Sequence, residues 1–317
     1  MNSRAYNRFE NGPFGTLIKK SSTQRLLDEI NYYKFISKNL SQSMFFPRLI
    51  DYDDYPIGTE YSLTLERYGY PNIGEFLVGK IDVPVDWTSI FTDLHDILKF
   101  WLRFSHNDTK TELQSEKMIM FKTINEYENF KLSRLDLSEL FLSDIIKINK
   151  HSYANFNILW KHILPIIQKE MLSYNSSMIH GDFCLSNILY SVESNVFKLI
   201  DPRGSYGFKG IYGDPRYDIA KLYHSVDGGY EFFINDAFNL KCISHDEYEL
   251  ILNAEHIKYK ALKEFESIFF PYYNKKHIKI IEGCIFIGMC ARHYDDKQRQ
   301  LAMYLTGVRI LNEAVSL

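Results

Sequence analysis

The sequence predicts an α+β chain in two lobes, a small β-rich one followed by a larger helical one. Three observations carry that expectation. The 317 residues exceed what a single hydrophobic core usually organises. Up to residue 80, short apolar runs alternate with turn residues, which is the pattern of strands. From residue 87 the apolar positions recur every three or four residues, the pattern of helices. Boundaries at 1–80 and 81–317 follow. No low-complexity linker separates the two parts, so they are expected to pack as one unit.

Taken in order, residues 14–20 read as a strand behind the turn signal Asn11-Gly12-Pro13. Ser21-Ser22-Thr23 opens a helix over 24–38, in which Leu26, Leu27, Ile30 and Tyr33 supply apolar positions. Residues 46–52 and 60–66 look like further strands, and a turn-rich stretch over 67–74 leads into the second lobe. There the helical pattern covers 90–102, 117–131 and 158–164, with a polar break over 104–114. Ile145, Ile146 and Ile148 read as part of another helix. Residues 230–317 are again expected to be helical, in segments 248–270, 278–292 and 297–311. Between the last two, His293-Tyr294-Asp295-Asp296 is either a capping loop or a binder of a substrate hydroxyl or cation.

Composition excludes some partners. A formal net charge of −3 provides no broad cationic field, so neither nucleic acid nor an anionic membrane is an expected partner. The first eight residues hold no apolar core of the secretory kind. The longest apolar window, 280–291, is interrupted by Glu282 and is too short to cross a bilayer, so no membrane insertion and a cytoplasmic location are expected. Cys184, Cys242, Cys284 and Cys290 form no C-x-x-C pair, which points away from thiolate metal sites and disulfides. The 23 Tyr and 23 Phe read as core filling.

The stretch that points to chemistry lies in the helical part. Residues 187–190 and 196–200 flank a polar turn and read as a β-hairpin. Asp182 and Asn187 lie on the loop entering it, and Asp201 lies where the chain leaves it. Three oxygen-bearing side chains thus converge on one end of a two-stranded ribbon, a donor set that suits Mg²⁺ bound together with substrate phosphates.

His180-Gly181-Asp182, then Asn187-Ile188-Leu189, then Ile200-Asp201 resembles the signature of the aminoglycoside phosphotransferase and choline kinase-like superfamily, small-molecule kinases with a protein-kinase-like fold. Gly213-Asp214-Pro215 followed by Asp218-Ile219-Ala220 is a second match. The resemblance implies transfer of the γ-phosphoryl group of ATP or GTP to a small-molecule hydroxyl. Asp182 would orient the acceptor and take its proton, Asn187 and Asp201 would hold Mg²⁺, His180 would anchor the loop, and Asp218 would brace it from behind. Asp214 is expected to cap a helix.

In such a fold a strand lysine and a helix glutamate hold the α- and β-phosphates. Lys19 is chosen over Lys20 because it shares a strand face with Leu17, and Glu29 is its helix partner. Glu66 and Tyr68 fall where the lobes join and the nucleotide base binds. Arg203 either forks onto a phosphate or carboxylate of acceptor or nucleotide or makes a structural salt bridge. The chain also departs from the family. Few residues precede Lys19, leaving little room for a leading strand pair and a phosphate-covering glycine loop. Residues 11–15 are either an abbreviated version of that loop or a bare turn. A sugar or related small alcohol is the expected acceptor, a surface-polysaccharide building block being one such compound. Aminoglycoside- or choline-type acceptors and a nucleotide-holding pseudokinase are the alternatives.

Overall fold

Alternating burial decides how the small lobe is assembled. The computed structural model describes residues 7–38, 40–57, 60–106 and 110–317. Strand β1, Arg8–Gly12, pairs antiparallel with β2, Thr16–Ser21. Among the described residues one strand precedes the strand that carries Lys19. The connection is a three-residue turn, Pro13–Gly15, in which Phe14 and Gly15 have φ of 57° and 71° and Phe14 is fully exposed. Residues 11–15 are thus the end of a tight hairpin. Strands β3, Leu49–Ile57, and β4, Glu60–Glu66, complete a sheet of order β1-β2-β4-β3. β3 starts later than the sequence suggested, because Phe46 turns inward against Tyr32 and Trp101. Helix α1, Gln24–Ile36, buries Leu26, Ile30, Tyr33 and Ile36.

The larger lobe is built on long helices. Lys275–Ile287 and Lys297–Val315 pack closely because glycines face the contact. A Cβ on Gly283 would sit 2.5 Å from Leu311, and one on Gly307 would sit 2.9 Å from Ile287. Among the described residues no helix is long and apolar enough to cross a membrane.

Two expectations of helix are corrected. Ile145–Ile148 is a strand, hairpinned to His151–Ala154 through Asn149 and Lys150 at φ 51° and 70°. Its burial alternates, Ile146 and Ile148 inside and Ile145 outside, so the period is two. Within 230–317, Phe238–Cys242 and Glu247–Leu252 form a second hairpin, and the helix expected from Tyr248 begins at Glu255. Parallel pairing of Glu247 with Lys147 and Tyr248 with Ile148 joins the hairpins into one four-stranded sheet. The glycine-rich stretch after Asp201 also carries short pairings, Ser205–Tyr206 with Phe208–Lys209 and Tyr212–Gly213 with Ser177–Met178.

The expected hairpin is present as Ile188–Ser191 and Val196–Leu199. Both lobes hold it. Tyr190 N donates to Pro71 O at 2.9 Å, Leu199 N to Phe45 O at 2.8 Å, and Lys198 Nζ to Met44 O at 2.7 Å. Its open end therefore lies beneath the small lobe.

Candidate active site

The strand period settles which lysine points inward. Lys19 is 6% exposed, and its Nζ donates to Glu29 Oε2 at 2.6 Å and to Asp201 Oδ1 at 2.7 Å. Lys20, one residue on, points the other way and pairs with Glu10 at 2.8 Å. Burial alone would pull the Lys19 ammonium down, but Asp201 and Glu29 together raise it above its ordinary value. Burial lifts Glu29 to about 7 against the pull of Lys19. Asp201 sits at φ 59°, a left-handed position, directly after the hairpin's second strand.

Asp182 is held between two cations. Lys221 Nζ lies 2.9 Å from its Oδ1, and Arg25 Nη2 donates to its Oδ2 at 3.1 Å. Burial would raise this carboxyl, yet Lys221, Arg203 and Arg25 hold it well below the usual carboxylate range, so it is ionised. The loop beneath it is fixed by Asp218, which accepts from His180 N at 2.6 Å and Gly181 N at 2.8 Å. Asp218 lies on the helix Pro215–Val226, capped by Asp214, which accepts from Arg216 N at 2.9 Å. His180 is buried and stacked on Phe46, its Nδ1 accepting from Asp182 N at 3.2 Å. Burial lowers it to about 4, so it is neutral and anchors the turn.

Asn187 donates its amide N–H to Asp182 O at 2.9 Å, which leaves its carbonyl oxygen as the remaining donor atom. Among the described residues no group of three or more His, Cys, Asp and Glu forms a ready-made metal cage. One carboxylate and one amide oxygen do fit a hard cation that takes its other ligands from phosphates and water. Farther along the cleft, Tyr68 donates its hydroxyl to Glu66 Oε2 at 3.0 Å, and Glu66 N is committed to Arg48 O at 2.9 Å. Among the described residues Arg203 has no carboxylate at ion-pair distance. Its Nη1 lies 3.4 Å from Tyr217 OH, and its Cβ packs over Gly181.

Sequence reasoning missed Arg25, Lys221, Lys122 and Tyr217. A helical signal existed for two of them: Arg25 is one turn before Glu29, and Lys221 three residues after Asp218. Lys122 Nζ lies 3.4 Å from Tyr217 OH.

No protein-family model matches the sequence, and no curated protein does. Solved structures do match. The GDP complex of wild-type aminoglycoside 2′-phosphotransferase-IIIa aligns with 100% of this chain and 91% of its own, with TM-score 0.52 and 12% identity. The streptomycin–ATP ternary complex of APH(2″)-IIa gives TM-score 0.51 and 16% identity over 99% of this chain and 90% of that one. The GDP and kanamycin complex of APH(2″)-IIia gives 0.51 and 14% over 100% and 92%. The fold is the protein-kinase-like one. A protein-kinase-like fold is also what the resemblance of residues 180–201 and 213–220 implied, and its two lobes meet at Lys19, Asp182 and Asp201. At such identities the likeness establishes architecture, and chemistry has to be argued from the side chains.

Proposed function

We propose that this protein is a small-molecule kinase that transfers the γ-phosphoryl group of ATP or GTP to a hydroxyl of a sugar or related small alcohol in the cytoplasm. The observation that carries the reading is the ionised Asp182 on a braced loop, facing Asn187 and a Lys19–Asp201 pair. We assign the nucleotide to residues 1–80 and the acceptor to residues 81–317. Lys19, oriented by Glu29, would bind the α- and β-phosphates, and Glu66 and Tyr68 flank the expected position of the base. Asn187 and Asp201 would hold Mg²⁺, which when bound neutralises charge on the phosphates.

In the reaction the acceptor oxygen forms a bond to the γ-phosphorus, and the bond from that phosphorus to the β–γ bridging oxygen breaks. The nucleoside diphosphate leaves, and the hydroxyl proton passes to Asp182. A strongly acidic carboxylate suits this role because a loose transition state releases the proton late. Asp182 therefore acts chiefly by orienting the hydroxyl in line. Asp218 and His180 keep the loop from moving while this happens.

The test is turnover of labelled ATP and GTP by the full chain with Mg²⁺ against sugars, amino alcohols, an aminoglycoside, choline and a generic protein. Phosphorylation of a sugar or simple alcohol is the expected result. Transfer to the aminoglycoside or choline, or nucleotide binding without turnover, would replace the proposal with one of its alternatives.

A further inference from the structure

Around Asp182 and Tyr217 the two lobes gather four cations, two of which have no carboxylate at ion-pair distance among the described residues. Arg25, Lys122, Arg203 and Lys221 lie about Asp182 and Tyr217. The carboxylates there are Asp182, already bonded to Lys221 and Arg25, and Asp218, whose oxygens are taken by two backbone N–H groups; Asp201 and Glu29 also act on Arg25, and Glu231 acts on Lys221. Arg292 is also near Lys122 but is paired with Glu126 at 2.8 Å. Among the described residues, Lys122 and Arg203 have no carboxylate at ion-pair distance. Both turn instead to one neutral atom, the Tyr217 hydroxyl, at a long 3.4 Å.

Leaving half-buried cations without counter-charge is unfavourable, and a folded chain that retains such a pair gains when a ligand brings the missing charge. A guanidinium beside an ammonium is suited to an oxyanion, which it can grip through two parallel N–H bonds. A small, largely apolar cavity lies beside Lys122 and Tyr217 but is not lined by Arg203; Met118, Ile119, Ile281, Cys284 and Ile285 form the rest of its wall. The surrounding groups register the same excess. Burial lowers Lys122 to about 8, with Arg203 and Arg292 pulling the same way. Burial would raise the Tyr217 phenol, yet Lys122, Arg203 and Lys221 bring it down to about 8.

The pair does not belong to the nucleotide phosphates. Lys19 and Asp201 meet on one side, whereas the carboxylate acting on Arg203 is Asp182, and Lys122 is reached through Arg203 and the Tyr217 hydroxyl that both approach. We infer that the acceptor is an anionic hydroxy compound, its phosphate or carboxylate held by Arg203 and Lys122 while its hydroxyl faces Asp182. This rests on the kinase reading, because the role of Asp182 defines the acceptor side. A polycation such as an aminoglycoside would meet repulsion there.

Calorimetry on the full chain, with Mg²⁺ and a non-hydrolysable ATP analogue present, tests the inference on matched compounds. Glycerol is set against glycerol 3-phosphate, and glucose against glucose 6-phosphate, glucuronate and glucosamine. At least one anionic member is expected to bind tenfold or more tightly than its neutral counterpart, and the phosphate and carboxylate arms identify the oxyanion. Lys122→Met and Arg203→Gln should each remove that preference without weakening the neutral compound, and Lys122→Arg should restore it. Melting curves establish that each variant is folded. Absence of an anion preference anywhere in the panel, or a preference that survives both substitutions, overturns the inference. Titration of the analogue alone reads the kinase proposal separately, since a chain that fails to bind Mg²⁺–nucleotide sinks that proposal whatever the anions do.

Discussion

Lys19 and Lys20 are chemically identical neighbours whose surroundings differ completely. Lys19 is enclosed with Glu29 and Asp201, while Lys20 meets Glu10 at the surface. Lys19→Met should therefore raise the nucleotide KM at least about tenfold, roughly 1.4 kcal/mol of binding, and Lys20→Met should leave it within about twofold. Steady-state kinetics in which Lys20→Met is the damaging change would refute the assignment of Lys19. Asp182→Asn should lower kcat by about 10² to 10⁴ with nucleotide affinity within a few-fold, and near wild-type turnover would remove Asp182 from the chemistry. The two-residue strand period made it legible from sequence which of the two lysines points inward. Helical spacing set Arg25 near Glu29 and Lys221 near Asp218, but it linked neither to Asp182, because Arg25 lies 157 residues away along the chain and Lys221 reaches Asp182 only once its helix is docked.

At the scale of elements, the motifs that combine a turn with flanking apolar runs were readable: the hairpin after Asp182, α1 and the last two long helices. The sheet formed by residues 145–154 and 238–252 was not. Its first strand is four residues long and rich in isoleucine, a run that suits either state. What decides it is a parallel pairing of Lys147 and Ile148 to Glu247 and Tyr248, about a hundred residues on. The chain leaves this hairpin through Asn155, which is fully buried. Its Nδ2 donates to Leu140 O at 2.8 Å and Ser143 O at 2.7 Å, and its Oδ1 accepts from Phe156 N at 2.9 Å and Tyr304 OH at 2.5 Å. Asn155→Ala caps nothing and strands several buried groups, so it should cost about 2–4 kcal/mol. Urea unfolding checks this, and a loss under about 1 kcal/mol would mean that water replaces the amide.

For the whole molecule, buried histidines set the response to acid. His224 is enclosed by Tyr230 and Phe286, with ring centroids 4.5 and 4.4 Å away. Burial holds it well below its ordinary value, helped by Lys221 and His293 and opposed by Asp182. In the unfolded chain the same ring takes up a proton near pH 6.5, so the native state binds fewer protons below that pH and stability falls as pH drops. Glu29, Asp218 and Glu231 run the other way, each raised to about 7 by burial. The net slope is thus a contest, and His224 is read as a difference. Between pH 6 and pH 5, His224→Phe should lose less stability than wild type, by up to about 1.4 kcal/mol. Parallel slopes in denaturant titrations would show that His224 is protonated in the folded state.

Gly204, at φ 63°, presses so closely on the small lobe that a Cβ there would lie 2.1 Å from Asp28 O. Gly204 therefore sets how closely the segment after Asp201 can seat against α1. Any bulk at this point acts as a shim that tilts α1 outward, and α1 carries both Arg25 and Glu29. One tilt would draw Arg25 away from Asp182 and Glu29 away from Lys19 in the same stroke. If these two contacts grip donor and acceptor as proposed, they are geared to a single shaft, so neither would be loosened at this joint without slackening the other.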